Sequence, residues 1–137
     1  MKERDVFQKE TVLKVENLTK VFRIGGIRKK KIYAVNGISF EINRKEILAL
    51  VGESGSGKTT VAKIIARLYK PTSGKIFLES KEIPDKLTKK ELLMYRRSIQ
   101  MIFQDPFSSL NPLYPVRYAV ERPIKVHKLA KGKEIKT

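Results

Sequence analysis

Apolar and polar residues alternate along several short stretches of the chain. Residues 12–18 alternate in this way, which predicts a half-buried strand that Val21 and Phe22 extend. Residues 75–79 alternate similarly and predict another strand. Residues 47–51 are a continuous, partly β-branched apolar run, which predicts a buried parallel strand, and residues 99–103 predict a further apolar strand.

Helical spacing follows the apolar run at 47–51. Four apolar residues spaced i, i+3, i+4 and i+7 predict one face of a helix: Val61, Ile64, Ile65 and Leu68. Residues 88–91 form a Thr-x-x-Glu capping box, which predicts a short helix through about Arg96. Residues 115–122 predict a third helix, which Pro123 kinks or ends.

Turn residues separate these elements. Asn36-Gly37 lies between the apolar stretches 32–35 and 38–42, which predicts a hairpin with a type I′ turn. Residues 23–31 predict a loop, and its basic run at 28–31 is a solvated tip or, less favoured, a contact with nucleic acid or lipid. Residues 71–74 end the first helix and turn the chain.

Composition limits the classes of protein that the chain can represent. The chain has 137 residues, which is one domain or part of a larger one, and 41% of them are apolar, enough for a core. It has no cysteine, which excludes disulfides and thiolate metal sites. No apolar run is long enough to cross a bilayer, and residues 1–5 are charged, unlike a signal peptide. We therefore expect a cytoplasmic protein.

The charge of the chain is strongly positive. Its 30 basic and 14 acidic residues give a net charge of +16. Such a surplus indicates a phosphate-rich partner, which is a nucleic acid, an anionic membrane surface or a nucleotide. The surplus is also expected if acidic parts of a larger domain are absent.

One glycine-rich segment fits the phosphate-loop pattern G-x-x-x-x-G-K-[ST] without a mismatch. Its position between a predicted strand and a predicted helix favours this interpretation over an accidental Gly/Ser turn. Backbone N–H groups of such a loop bind phosphate oxygens, the lysine contacts the β- and γ-phosphates, and the hydroxyl that follows it binds Mg²⁺. The predicted nucleotide-binding residues are Gly52, Glu53, Ser54, Gly55, Ser56, Gly57, Lys58, Thr59 and Thr60.

The chain resembles the N-terminal half of an ABC transporter ATP-binding subunit of the dipeptide/oligopeptide importer type. Residues 15–18, 34–40, 51–60 and, most specifically, 96–112 show the resemblance, which covers roughly residues 12–128. It implies an α/β fold with a P-loop NTPase-like core and an N-terminal antiparallel β subdomain.

We divide the chain as one partial domain, residues 1–137. It comprises a charged tail at 1–10, the family-like region at 11–128 and a Lys-rich end at 129–137.

The resemblance also implies roles for single residues. Tyr33 corresponds to the aromatic residue that stacks on adenine, the alternative being an ordinary strand tyrosine. Gln104 corresponds to the Q-loop glutamine, which reaches Mg²⁺ or the attacking water, so that Thr59 and Gln104 are the expected metal contacts and Gln104 the expected catalytic residue. His127 lies in the wrong context for the switch histidine of the family, and we expect it at the surface or at a helix end. Lys45 replaces a usual glycine.

Several family motifs do not occur in this sequence. They are the signature motif, the Walker B strand, the D-loop and the switch histidine. We therefore expect a chain truncated before them, which binds ATP with little or no hydrolysis by itself, so its status as an enzyme stays open.

The implied function is ATP binding within a peptide importer. The expected cofactors are ATP and Mg²⁺, and the expected partners are membrane permeases, a second ATP-binding subunit and, indirectly, a substrate-binding protein. We expect the chain at the cytoplasmic face of the membrane. One alternative is an incomplete or split nucleotide-binding or assembly module without ATPase activity. A less favoured alternative is a nucleic-acid-associated ABC ATPase, and nucleic acid is not an expected partner.

Overall fold

The computed structural model describes residues 10–26, 30–105 and 111–130. The chain divides into two compact units, Met1–Lys86 and Leu87–Thr137, and each is described by itself. Three predictions lie partly or largely outside the described residues: the charged tail at 1–10, the basic run at 28–31, of which only Lys30 and Lys31 are described, and the Lys-rich end at 129–137.

The first unit contains a four-stranded antiparallel sheet. Its strands are β1 (Thr11–Ile24), β2 (Lys30–Asn43), β3 (Ser73–Leu78) and β4 (Lys81–Glu82), in the order β2-β1-β3-β4. Strand β1 pairs with β2 along most of its length and with β3 on its other side. The predicted antiparallel subdomain is therefore confirmed, together with the strands predicted at 12–18 and 75–79.

The core of the first unit lies between the sheet and helix α1 (Lys58–Ile65). Alternating residues of β1 supply its centre, and the buried set is Leu13, Val15, Leu18, Val35, Val61, Ile64 and Ile76. Two residues of the helical face predicted from the spacing, Val61 and Ile64, are buried in this core, which confirms that α1 packs with this face. The helix is shorter than that spacing predicts, because Arg67 takes a positive φ of 53° and directs the chain out of the helix before Leu68.

The predicted hairpin at Asn36-Gly37 is wrong. Strand β2 is one continuous element, and it pairs with β1 both before and after these two residues. Gly37 has a φ of 63°, as the turn prediction requires, but this conformation forms a bulge instead. The Asn-Gly pair does not form a turn because β2 pairs with β1 along its whole length.

Two predicted strands do not form. Residues 47–51 and 99–103 have no regular secondary structure, and Ile47, Val51 and Ile102 are 95%, 93% and 92% exposed. A strand requires hydrogen bonds to a neighbouring strand. Within the described ranges, the sheet strands pair among themselves and none pairs with either segment.

The second unit contains helices α2 (Lys89–Ser98) and α3 (Val116–Val126). The capping box that begins α2 is confirmed: the Glu91 N–H donates to the Thr88 hydroxyl at 3.2 Å, and the Thr88 N–H donates to the Glu91 carboxylate at 2.7 Å. Helix α3 begins after Pro115 as predicted, but it continues through Pro123 instead of ending there. His127 caps its C-terminus, in agreement with the predicted helix-end position.

None of the helices in the described ranges is long and apolar enough to cross a membrane.

Candidate nucleotide-binding site

The glycine-rich segment forms a compact loop that leads directly into α1. The Ser56 N–H donates to the Glu53 carbonyl at 3.2 Å, which closes a turn inside the loop. The Val61 N–H donates to the Gly57 carbonyl at 2.9 Å, which begins the helix. Gly57 is the residue before the helix, so the first free N–H groups of α1 belong to the residues that directly follow the loop.

Gly57 allows the loop to touch strand β2. A Cβ at this position would stand 2.1 Å from the Ala34 carbonyl oxygen, and Gly57 has a φ of 96°. Both the space and the backbone conformation therefore require glycine. The contact joins the end of the loop to the part of β2 that contains Tyr33.

The Lys58 side chain folds back over the loop. Its ammonium group donates to the Gly52 carbonyl at 2.7 Å, to the Glu53 carbonyl at 2.6 Å and to the Ser56 hydroxyl at 3.2 Å. These contacts hold a positive charge at the centre of the loop. Helix α1 adds its N-terminal dipole to this charge, and its first turn contains no acidic residue.

A cavity of about 320 Å³ opens beside the loop. This volume is in the range of small-ligand sites. Tyr33 lies on its wall with 60% of the residue exposed. The lining residues are Tyr33, Ala34, Val35, Asn36, Ile38, Leu50, Val51, Ser56, Gly57, Lys58 and Val61.

The structure thus brings four of the predicted site residues to one cavity: Tyr33, Ser56, Gly57 and Lys58. Of the others, Gly52, Glu53, Ser54 and Gly55 are exposed residues of the loop, and Thr59 and Thr60 are in the first turn of α1.

The apolar and amide lining of the cavity was not predicted from the sequence. Val35 and Ile38 line it although they are three positions apart in one strand, a spacing that places residues of a regular strand on opposite faces. This spacing was the available signal of the bulge.

Gln104 lies in the second unit, where it is exposed and precedes Asp105. Residues 106–110, which belong to the most specific part of the resemblance, lie outside the described residues. Across the described ranges, no cluster of three or more His, Cys, Asp or Glu side chains could hold a metal ion. The metal role of Thr59 and Gln104 therefore stays a prediction.

A known protein family matches most of this chain. The family model described as ABC transporter matches residues 35–136, which include the loop, the cavity lining from Val35 onward and Gln104. The chain belongs to the ABC transporter family. An oligopeptide transport ATP-binding protein of Bacillus subtilis, AppF, is 40% identical over 124 residues, which are 88% of this chain and 38% of that protein.

Other ABC relatives are similar over most of the chain. The oligopeptide transport ATP-binding protein OppF of Bacillus subtilis is 43% identical over 103 residues, covering 75% of this chain and 34% of that protein. The glutathione import ATP-binding protein GsiA of Escherichia coli O157:H7 is 38% identical and covers 98% of this chain and 22% of that protein. The chain thus spans less than two fifths of the length of these three relatives.

The fold is that of ABC ATPase cassettes. The dimeric ATP-binding cassette MJ0796, solved in a post-hydrolysis state with ADP and Pi, superimposes with a TM-score of 0.74 at 32% identity. The alignment covers 90% of this chain and 52% of that cassette.

Proposed function

We propose that this chain binds ATP with Mg²⁺ and forms the ATP-binding part of an ABC importer for peptides. The cavity beside the phosphate loop is the observation that supports this proposal most directly. It combines an exposed aromatic ring, a lysine ammonium group and a glycine-rich loop in one unit. A nucleoside triphosphate presents the matching groups, a flat base and a chain of phosphates.

Each part of the site has a role in this proposal. The loop N–H groups and the N-terminus of α1 bind the phosphates, and the Lys58 ammonium exchanges its loop carbonyl partners for phosphate oxygens. Tyr33 stacks on adenine with its exposed ring face. Leu50 and Val51 line the cavity and supply apolar contacts beside the base.

The residues also fit a magnesium ion bound together with the nucleotide. The exposed Thr59 follows Lys58 directly in the first turn of α1, and its hydroxyl is an oxygen ligand of the kind that Mg²⁺ prefers. When bound, Mg²⁺ would neutralise phosphate charge and polarise the terminal phosphate. For Gln104, in the second unit, we keep the role that the resemblance implies, which is contact with Mg²⁺ or with the attacking water, as a separate proposal.

The names of the relatives support the importer part of the proposal. Two are called oligopeptide transport ATP-binding proteins and one a glutathione import ATP-binding protein. The proposed partners are membrane permeases and a second ATP-binding subunit, since the similar cassette is dimeric. The proposed site of action is accordingly the cytoplasmic face of the membrane.

Calorimetric titration with Mg²⁺-ATP tests the nucleotide site. Lys58→Ala is expected to lower the affinity by at least tenfold, because charge-assisted hydrogen bonds of about 1.5–3 kcal/mol each are lost. Lys63→Ala is the matched control: it removes the same charge from the same helix, and Lys63 contacts the Tyr69 ring outside the cavity. Equal affinity of wild type and Lys58→Ala would contradict the proposed site.

Phosphate release measured in the same samples distinguishes a chain that only binds ATP from a chain that also hydrolyses it. Binding without release supports a nucleotide-binding module, whereas release that Lys58→Ala abolishes supports an ATPase. Neither result alters the assignment of the binding residues.

A further inference from the structure

The bulge in β2 determines which residues reach the cavity. Val35 is buried and Ile38 packs against the same core, although they are three positions apart. A regular strand would turn one of them away from the core. The register shows the cause: between the pairs Leu18–Ile38 and Lys20–Val35, β2 has two residues where β1 has only Thr19.

The Thr19 hydroxyl holds this bulge. It accepts a hydrogen bond from the Gly37 N–H at 3.0 Å, and Gly37 has the positive φ that the bulge requires. A separate register shift lies next to it, where Glu16 and Asn17 of β1 are opposite Ser39 alone, and there the Ser39 hydroxyl accepts a hydrogen bond from the Asn17 N–H at 2.8 Å. At each irregularity a side-chain oxygen therefore replaces a ladder hydrogen bond that an extra residue prevents.

The part of β2 beyond the bulge faces the phosphate loop. There, the Ala34 carbonyl lies against Gly57, and Tyr33 lies on the cavity wall. In a β2 strand without the bulge, Tyr33 and Ala34 would pair with β1 one position away from their present register. Their side chains would then lie on the opposite face of the sheet. The position of Tyr33 relative to the loop thus depends on this bulge, which a bond to the neighbouring strand holds, together with a second register shift at Ala34, between the pairs Lys20–Val35 and Val21–Tyr33.

We propose that Thr19 is a positioning residue for the nucleotide base: its hydroxyl holds the β2 bulge and thereby sets where Tyr33 stands relative to the phosphate loop. This inference rests on the proposed function, because it assigns the base to Tyr33. Thr19 itself does not line the cavity.

Thr19→Val tests the role because valine has the same shape and lacks the hydroxyl. The Gly37 N–H then loses its partner, and we expect the affinity for Mg²⁺-ATP to fall about fivefold to tenfold. Inorganic tripolyphosphate has no base, so we expect its affinity to change less than about twofold. Thr19→Ser restores the hydroxyl and is expected to restore ATP affinity.

The experiment uses the full 137-residue chain and titrates each variant with both ligands. Thr11→Val is the matched control, since the Thr11 hydroxyl donates to the Asn43 side chain at 3.2 Å at the far end of β1. Hydrogen exchange of the Gly37 amide, measured without any ligand, gives an independent readout. Faster exchange in Thr19→Val than in wild type or Thr19→Ser supports the role.

Four results would overturn the inference. Unchanged exchange at Gly37 means that the hydroxyl does not hold the bulge. Unchanged ATP affinity means that the bulge does not position the base, and equal loss of ATP and tripolyphosphate means a general structural effect. Failure of the wild type to bind either ligand contradicts the proposed function itself, and the inference is then overturned with it.

Discussion

The carbonyl oxygen of Ala34 lies 2.1 Å from the point where a Cβ on Gly57 would stand. Strand β2 and the phosphate loop therefore pack backbone against backbone, without a side chain between them. This contact brings the wall that contains Tyr33 to the loop that contains Lys58, and it sets the width of the cavity between them.

Gly57→Ala is expected to weaken binding of both ATP and tripolyphosphate by at least tenfold. The new methyl group must push β2 and the loop apart, and the positive φ of 96° adds about 1–3 kcal/mol of backbone strain. Calorimetric titration measures the affinities, and thermal unfolding shows whether the variant stays folded.

Gly55→Ala distinguishes the effect of backbone strain from the effect of steric overlap with Ala34. Gly55 also has a positive φ, 83°, but a Cβ there meets no atom within 4 Å. It should therefore lower affinity less than Gly57→Ala. If the two substitutions have equal effects, the approach of β2 is not what requires glycine at position 57.

Substitution of Tyr33 tests base stacking. Tyr33→Ala is expected to lower ATP affinity roughly fivefold to a hundredfold, since stacking on a base contributes about 1–3 kcal/mol. Tyr33→Phe keeps the ring and should bind ATP like the wild type. Neither change should alter tripolyphosphate affinity, and a parallel loss of both ligands in Tyr33→Ala would contradict stacking.

Local chemistry made the phosphate loop and the capping box predictable from the sequence. In both cases the required residues are close in the chain: Gly57 and Lys58 adjoin, and Thr88 bonds to Glu91 three positions later. The bond that holds the bulge at Gly37 was not predictable, because its partner is Thr19, eighteen positions away on another strand. A positive φ at Gly37 fits a turn and a bulge equally well.

The apolar runs show a second limit of sequence patterns. Residues 47–51 have the composition of a buried strand, yet Ile47 and Val51 are almost fully exposed. Composition indicates what a segment can bury, whereas burial requires a partner that the pattern does not specify. Ile64, by contrast, is buried because it packs in one core cluster with residues of the sheet, among them Leu18 and Ile76.

The contrast between Ile64 and Ile47 is directly testable. Ile64→Ala should lower the free energy of unfolding by about 2–5 kcal/mol, because it leaves a cavity at a completely buried position. Ile47→Ala makes the same change at a 95% exposed position and should alter stability by less than about 0.5 kcal/mol. Urea unfolding of the full chain measures both values. A large loss in Ile47→Ala would show that residues 47–51 are buried in solution.

Helix α3 is expected to depend on pH through Glu121. Hydrogen bonds from Lys125 and then Arg117 lower the pKa of the Glu121 carboxyl from 4.5 to about 2. Both partners are one helical turn away, and Lys125 donates at 2.6 Å. Because the pKa is lower in the folded state, the ion pairs stabilise α3 above about pH 4.5, and this contribution is lost as the pH falls toward 2.

A titration of the Glu121 carboxyl carbon by NMR measures this shift. Lys125→Gln should raise the pKa of Glu121 toward 4.5, and Arg117→Gln should raise it less, because the Lys125 bond is the larger cause. Lys128→Gln removes a charge just beyond the helix and is the control that should leave the pKa low. A wild-type midpoint at the ordinary value of 4.5 would mean that neither ion pair persists in solution.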